Sequence, residues 1–392
     1  MKKKILIVLL FVIIKVEAQT STFFVADSLF AKGRYKLALK ELDKSEASFL
    51  TNYKKAVIYE SIDNYKKAAS FLEKAIIFKD DEKAKLKLAK IYRALKQSIK
   101  AIPIYEEVLA KDSLNLVLKY QLGKIYIINR KPKEAIKTFQ NLIKNDKENA
   151  NYSYHLGLSY ALNAQRNPMI NSFIDTFKKD STHLKAIVRL AKSFKKLHEK
   201  DSTKLFVDKG LALNENHIDL NKIKINQLYK DKKYKEALPL LLKLDSIDKK
   251  ETFSKVLLGR VYYNLDSLEQ AKKVFTKLSF LDKEDFKANT YLGHIAFKQK
   301  EYSTAKMQYF MATFKGRKAR DEEFYGIARV YYDTKKPKQA INAFSEAYKE
   351  NHRNYRALYQ LAKLSDDYYK DKKIAYKHYV KYIETFYDKD EG

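Results

Sequence analysis

The sequence has no cysteine and no tryptophan, and only 9 glycines and 5 prolines among its 392 residues. Without cysteine there are no disulfides, no thiolate zinc sites, no thiol nucleophile and no cysteine-linked lipid anchor. The scarcity of glycine and proline removes the usual breakers of regular structure, and the composition suits helices. Long apolar runs are missing too. After residue 14 the strongest is Leu238–Leu242, far short of the roughly 20 residues that span a bilayer. Catalytic patterns are equally scarce. The seven histidines, His155, His183, His198, His217, His294, His352 and His378, include no pair at the i, i+4 spacing of a helical zinc site. There is no glycine-rich phosphate loop and no Gly-x-Ser-x-Gly elbow. Acidic clusters such as Asp80-Asp81-Glu82 and Asp321-Glu322-Glu323 fall in turns, where the dipole of a following helix favours them. The reading is of a protein that is not an enzyme and that calls for neither metal nor cofactor.

What is present begins with a three-part N-terminus. Lys2-Lys3-Lys4 precede the ten apolar residues Ile5–Ile14, and Val16-Glu17-Ala18 follow. This is the plan of a secretory signal cleaved after Ala18, and its apolar core is too short for an anchor. Residues 1–18 are therefore expected to be a signal peptide and 19–392 the mature chain. That chain is expected outside the cytoplasm of a bacterium (periplasmic, envelope-associated or secreted), with no transmembrane span after cleavage.

The stretch Leu116–Asp146 contains the pattern from which the rest follows. Leu122-Gly123 and Tyr126 share one helical face, and Ala135, Phe139 and Leu142 form the apolar stripe of a second helix. Asn129-Arg130-Lys131-Pro132 is the break between them, with Pro132 suited to a first helical turn. The same signature recurs every 34 residues at Leu88-Ala89, Leu156-Gly157, Leu190-Ala191, Leu258-Gly259 and Leu292-Gly293, then one residue out of step at Ile327-Ala328 and Leu361-Ala362. Its second half recurs at Ala101/Tyr105, Ala271/Phe275, Ala305/Tyr309 and Ala340/Phe344. Two earlier units are marked by Gly33-x-Tyr35-x-x-Ala38 and Asn64-Tyr65-x-x-Ala68. An Asp or Asn closes most units, among them Asp80, Asp112, Asp146, Asp180, Asn214, Asp248 and Asp282, and is expected to end one helix and cap the next. The signature is weakest from Asn163 to Gly210, where Met169 and Thr203 stand in place of Ala.

This register resembles the tetratricopeptide repeat (TPR), over residues 22–390. The resemblance implies an all-α, right-handed superhelical solenoid of about eleven helix-turn-helix repeats, one continuous array over residues 19–392, whose first helices line a concave groove. The Pro that usually ends the repeat is missing throughout.

The remaining signal is charge. Lys and Arg number 79 against 48 Asp and Glu, a formal +31, which favours anionic partners. The resemblance places the residue two after each signature Leu on the groove. Those residues are Lys90, Lys124, Leu158, Lys192, Asn226, Arg260, His294, Arg329 and Lys363; six of the nine are Lys or Arg, about three times their share of the chain. Tyr120, Tyr154, Tyr263, Tyr325, Tyr332, Tyr359 and Phe297 flank them. Lys at an exposed helix position also serves plain solubility, and the abundant tyrosines also serve packing, so both readings stand. The leading expectation is an interaction scaffold of the cell envelope that binds an acidic protein segment in a basic groove. The alternative is an adaptor that holds anionic glycan or lipid headgroups by charge. Nucleic acid is disfavoured behind an export signal. Self-association through the last helix, Ile374–Phe386, which carries Tyr379, Tyr382 and Phe386, is a third expectation.

Overall fold

The computed structural model describes residues 21–247, 252–281, 286–314 and 319–386. The signal-peptide segment 1–18 and the closing residues Asp248 and Asp282 lie outside the described residues. Among those described there are 22 helices and no strand, and they form eleven successive helix-turn-helix pairs. No described helix is long and apolar enough to cross a membrane.

The chain divides into two compact units, ending at Phe206 and beginning at Val207. The first holds α1 (21–31), α2 (Tyr35–Leu42), α3 (Phe49–Ser61), α4 (Tyr65–Phe78), α5 (Glu82–Ala94) and α6 (Ser98–Lys111). It continues with α7 (Leu116–Ile128), α8 (Pro132–Asn145), α9 (Ala150–Leu162), α10 (Arg166–Lys179) and α11 (Leu184–Lys196). The division falls inside α12 (Lys200–Leu213), within the stretch where the repeat signature is weakest. The second unit holds α13 (Ile218–Lys230), α14 (Tyr234–Ile247), α15 (Thr252–Asn264), α16 (Leu268–Leu281) and α17 (Phe286–Lys298). After these come α18 (Tyr302–Thr313), α19 (Asp321–Asp333), α20 (Pro337–Glu350), α21 (Tyr355–Tyr368) and α22 (Lys372–Phe386).

Within each unit a helix packs on its own partner and on the first helix of the next pair. The small residue after the signature Leu is what permits this. A Cβ added at Gly123 would stand 2.7 Å from Phe139, at Gly157 2.7 Å from Phe173, and at Gly259 2.7 Å from Phe275. Each ring comes 16 residues after its glycine and is fully buried. The glycine is thus a socket for the aromatic of its own second helix, and the pair closes as a knob in a hole. Stacked in this way, the pairs share one core in each neighbourhood, such as the cluster running from Ala56 to Tyr152, and no pair could bury its apolar face alone.

The turns inside the pairs have chemistry of their own. Among the described residues ten of them hold a residue at positive φ, and Gly33 is the single glycine; the others are Asp63, Lys96, Arg130, Ala164, His198, Lys232, Asp266, Lys300 and Lys335. Around Arg130 the amide of Lys131 donates to the Tyr126 carbonyl (2.8 Å) and that of Arg130 to the Ile127 carbonyl (3.2 Å). These two bonds satisfy the last carbonyls of the first helix as a left-handed C-terminal cap does, although that position usually prefers glycine.

Between pairs the work is divided more finely than expected. The closing Asp or Asn accepts from an amide two residues on: Asp112 from Leu114, Asp180 from Thr182, Asn214 from Asn216. Capping of the next helix falls to a residue three further along, Asn115 on Leu118 N–H and, by the Nδ1 of a histidine, His183 on Ala186 and His217 on Leu220. Pro132 and Pro337 open α8 and α20, while Pro103 and Pro239 sit within α6 and α14. In the last helix Phe386 is buried against Tyr355 and Tyr382, and Tyr382 also meets Tyr359, so these aromatics face inward.

Candidate functional site

Aromatic rings and cations gather on the first helices of both units, in different forms. In the first unit the Lys124 ammonium lies 4.8 Å over the Tyr120 ring. Tyr120 meets Tyr152 at 5.5 Å and His155 edge-on at 5.1 Å, and His155 Nδ1 lies 2.8 Å from the Asn151 carbonyl oxygen. Burial, then the nearby Arg93, hold Lys124 below its usual lysine range. Burial also lowers His155, with Lys124, His183 and Lys185 adding repulsion. In both groups burial is the larger cause and the neighbouring cations add to it. Tyr154 is buried and packs on Phe173 and His183 rather than lining an open face. Lys90 and Lys192 are exposed.

The second unit carries a cavity of about 260 Å³. Four first helices supply most of its walls: Tyr263 and Asn264 from α15, Tyr291 and His294 from α17, Glu322, Tyr325, Gly326 and Arg329 from α19, and Arg356 from α21, with Tyr229 of α13 and Tyr309 of α18 completing it. Beside it the Arg260 guanidinium lies 4.8 Å from the Tyr229 ring centre and 5.7 Å from that of Tyr291. Its Nε is buried without a hydrogen-bond partner. Arg329 stacks on Phe297 at 4.2 Å. Arg356 faces Tyr325 at 5.6 Å and pairs with Glu322 at 3.0 Å. Guanidinium on an aromatic face keeps its N–H edge free while the flat side is desolvated, which suits it to hold an oxyanion.

The centre of the cavity wall is His294. Its Nδ1 lies 2.8 Å from the Tyr309 hydroxyl oxygen. Burial, with Arg329 and Arg356 close by, pushes it down to about 4, so it is neutral at physiological pH. Burial likewise raises Tyr309 above the usual phenol range. The Tyr309 ring occupies two sockets at once: a Cβ at Gly293 would stand 2.7 Å from it, and one at Gly326 2.5 Å. Three guanidinium groups against one paired carboxylate, around a neutral imidazole and tyrosine hydroxyls, make a site of net positive charge with donors on several sides.

Of the residues expected from sequence, Tyr263, His294, Tyr325 and Arg329 line this cavity and Arg260 lies beside it. Tyr332 and Lys363 are exposed and stand outside its lining. Tyr291 was not among the expected residues, although it lies one helical turn from His294, at i−3. Arg356 and Tyr309 carried no such signal. The acidic run expected at a helix start does open α19, yet each residue has a separate task. Asp321 accepts from the Asn351 and Asn354 side chains, Glu322 pairs with Arg356, and buried Glu323 accepts from the Thr290 hydroxyl at 2.5 Å. Burial raises Glu323 above the usual carboxylate range. Among the described residues no group of three His, Asp or Glu is placed to hold a metal ion.

The tetratricopeptide repeat family model matches residues 51–76, 117–149 and 254–284. A solved structure with similar architecture is the C-terminal part of a TPR repeat-containing protein from Cytophaga hutchinsonii, 17% identical, covering 60% of this chain and 99% of that one with a TM-score of 0.50. Others are pilF of Pseudomonas aeruginosa (18% identity, 56% and 98% covered, TM-score 0.43) and a tetratricopeptide repeat protein from Parabacteroides merdae (12%, 72% and 98%, 0.41). At these identities the likeness is one of fold. No curated protein matches the sequence. Over those three stretches the chain matches the tetratricopeptide repeat, and its helix pairs have the fold of such repeats.

Proposed function

We propose that this chain is a non-enzymatic scaffold of the bacterial cell envelope that holds an acidic protein segment against the basic, tyrosine-rich faces of its first helices. The observation that carries this reading is the cavity of the second unit, where Arg329 and Arg356 stand with His294 among five tyrosines, and Arg260 lies alongside. A fold is not a function; the chemistry of the site is what favours an acidic segment. Its guanidinium edges can meet carboxylates in bidentate fashion, and its rings can bury the aliphatic parts of a bound segment. The Lys124 cluster of the first unit provides a second basic contact of the same kind. An envelope setting rests on the sequence of residues 1–18 alone.

The test is affinity capture from solubilised envelope by residues 19–392, at about 0.15 M and 0.5 M salt, where screening lengths differ roughly twofold. The scaffold reading expects one or two proteins retained at both salts by the wild type and lost by the Arg260→Glu/Arg329→Glu variant. Retention of the same proteins by that variant would remove the site assignment. The second reading, an adaptor for anionic glycan or lipid headgroups, is favoured by the charge of +31 and by exposed Lys90, Lys192 and Lys363. It expects everything to be released at the higher salt.

A further inference from the structure

Helix α18 is apolar on two opposite faces. Ala305, Tyr309 and Ala312 are buried in the core, while Met307, Phe310 and Met311 on the far side are 52%, 56% and 42% exposed, and Phe314 just past the helix end is 75% exposed. These four positions have the i, i+3, i+4, i+7 spacing of a helix-packing stripe, and Phe310 meets Phe314 edge-on at 4.7 Å. Beside the stripe runs a groove of about 290 Å³, with α16 and α18 as walls and α17 as floor. Phe280 and Met311 face across it, and Leu292 and Ala296 lie at its base. Phe280 is itself 76% exposed. Polar groups in the groove are bonded among themselves: the Asn289 side-chain amide donates to Gln308 at 2.8 Å, and the Ser279 hydroxyl to the Thr276 carbonyl at 2.8 Å. A stripe of this length beside a mostly apolar trough is what a partner helix packs into, and its methionines adapt to the partner's shape.

Charge identifies the occupant more closely. Lys272 lines the groove, and Lys273 and Lys277 line the hollow on the adjoining face of α16 beside Phe280, which calls for acidic residues on that flank of the partner. Glu269 and Glu301 are also near, Glu269 accepting from Gln299 and Glu301 4.0 Å from Lys272. Such carboxylates repel the headgroups of an anionic bilayer, whereas a helix can be registered to avoid them. We propose that the outer face of α16 and α18 docks an amphipathic helix of another protein, apolar along one stripe and acidic on the flank that meets the three lysines. This surface is separate from the tyrosine-lined cavity and does not depend on the reading given to it.

The experiment is selection of a displayed library of helical 18-residue peptides on immobilised residues 19–392, followed by affinity measurement on purified winners. The expected winners carry an apolar i, i+3, i+4, i+7 stripe with Asp or Glu on one flank. Their affinity should fall about tenfold or more on Phe310→Ser/Met311→Ser, fall as far on Lys273→Glu/Lys277→Glu, and stay unchanged on Arg329→Glu. Circular dichroism of each variant checks that these exposed substitutions leave the fold in place. Winners without that pattern, or winners that bind the Phe310→Ser/Met311→Ser variant equally well, would overturn the proposal. So would sedimentation showing that the wild type alone dimerises and that the same variant does not, since the occupant would then be a second copy. Binding to phosphatidylglycerol vesicles that is lost in that variant would also overturn it, by assigning the face to a bilayer.

Discussion

Tyr309 and His294 are joined by a 2.8 Å hydrogen bond that links the two helices of one repeat at the wall of the second unit's cavity. Burial, with Arg329 and Arg356 close by, keeps this imidazole neutral.

Acid should therefore loosen this unit. His294 is held at about 4 in the fold against 6.5 for an exposed histidine, so the unfolded chain binds the extra proton first. Stability is expected to fall as pH drops from about 6.5 towards 4, by about 2–3 kcal/mol from this residue, and the loss levels off below the folded value. Urea unfolding at pH 7 and pH 4.5 checks it: His294→Gln should reduce the difference between the two pH values. An unchanged difference would mean that other groups govern the acid limb.

The glycine sockets give a packing prediction. Gly326→Ala places a Cβ 2.5 Å from the Tyr309 ring, and the overpacking is expected to cost about 1–3 kcal/mol. In a double-mutant cycle with Tyr309→Leu, which shortens the knob, the two losses should be far from additive. Additive losses in denaturant unfolding would show that the ring is not what the glycine accommodates.

The left-handed turns can be improved. Ala164 and Lys232 hold φ of 57°, a conformation that costs a side-chain-bearing residue about 1 kcal/mol or more. Ala164→Gly and Lys232→Gly are each expected to raise stability by roughly 0.5–1 kcal/mol despite the greater freedom of glycine in the unfolded chain. Gly33, at φ 71° with open space around it, should show the opposite sign on Gly33→Ala. Thermal unfolding of the three variants measures both directions.

Helix capping between pairs is the fourth test. Asn115→Ala removes the 3.0 Å acceptor for the Leu118 amide and should cost about 1 kcal/mol. Asp112→Ala removes only the longer 3.3 Å turn contact at Leu114 and should cost less. Equal losses in urea unfolding would return the cap to the closing Asp.

Much of this architecture was legible because a helix that packs on two neighbours must repeat its apolar residues. Leu122, Gly123, Ala135 and Phe139 declare a pair, and the 34-residue spacing declares the array. The candidate site was legible at the positions two after a signature Leu, Arg260, His294 and Arg329, and at the flanking Tyr263 and Tyr325. Tyr309 was read as a groove filler, which its ring is, but periodicity says nothing of where a hydroxyl ends. Arg356 was missed because it reaches the cavity from the start of α21, five residues before that unit's signature Leu361. The outer stripe of α18 was hidden in the same way, since Met and Phe at helical spacing look alike whether they face a core or water. The positive-φ turns left no glycine to announce them.

Those turns have a further consequence. In the first unit Lys96 and Arg130, and in the second Lys232, Lys300 and Lys335, each stand fully at a corner between helices, and all are exposed. A glycine there would relax the backbone and leave a bare, uncharged knuckle. By holding long cations in a conformation that glycine would adopt more easily, the chain gives up a little stability at each corner and gains edges of repeated positive charge. Asp63 and Asp266 hold the same place in two other turns, so the charge of these corners is positive on balance rather than uniform.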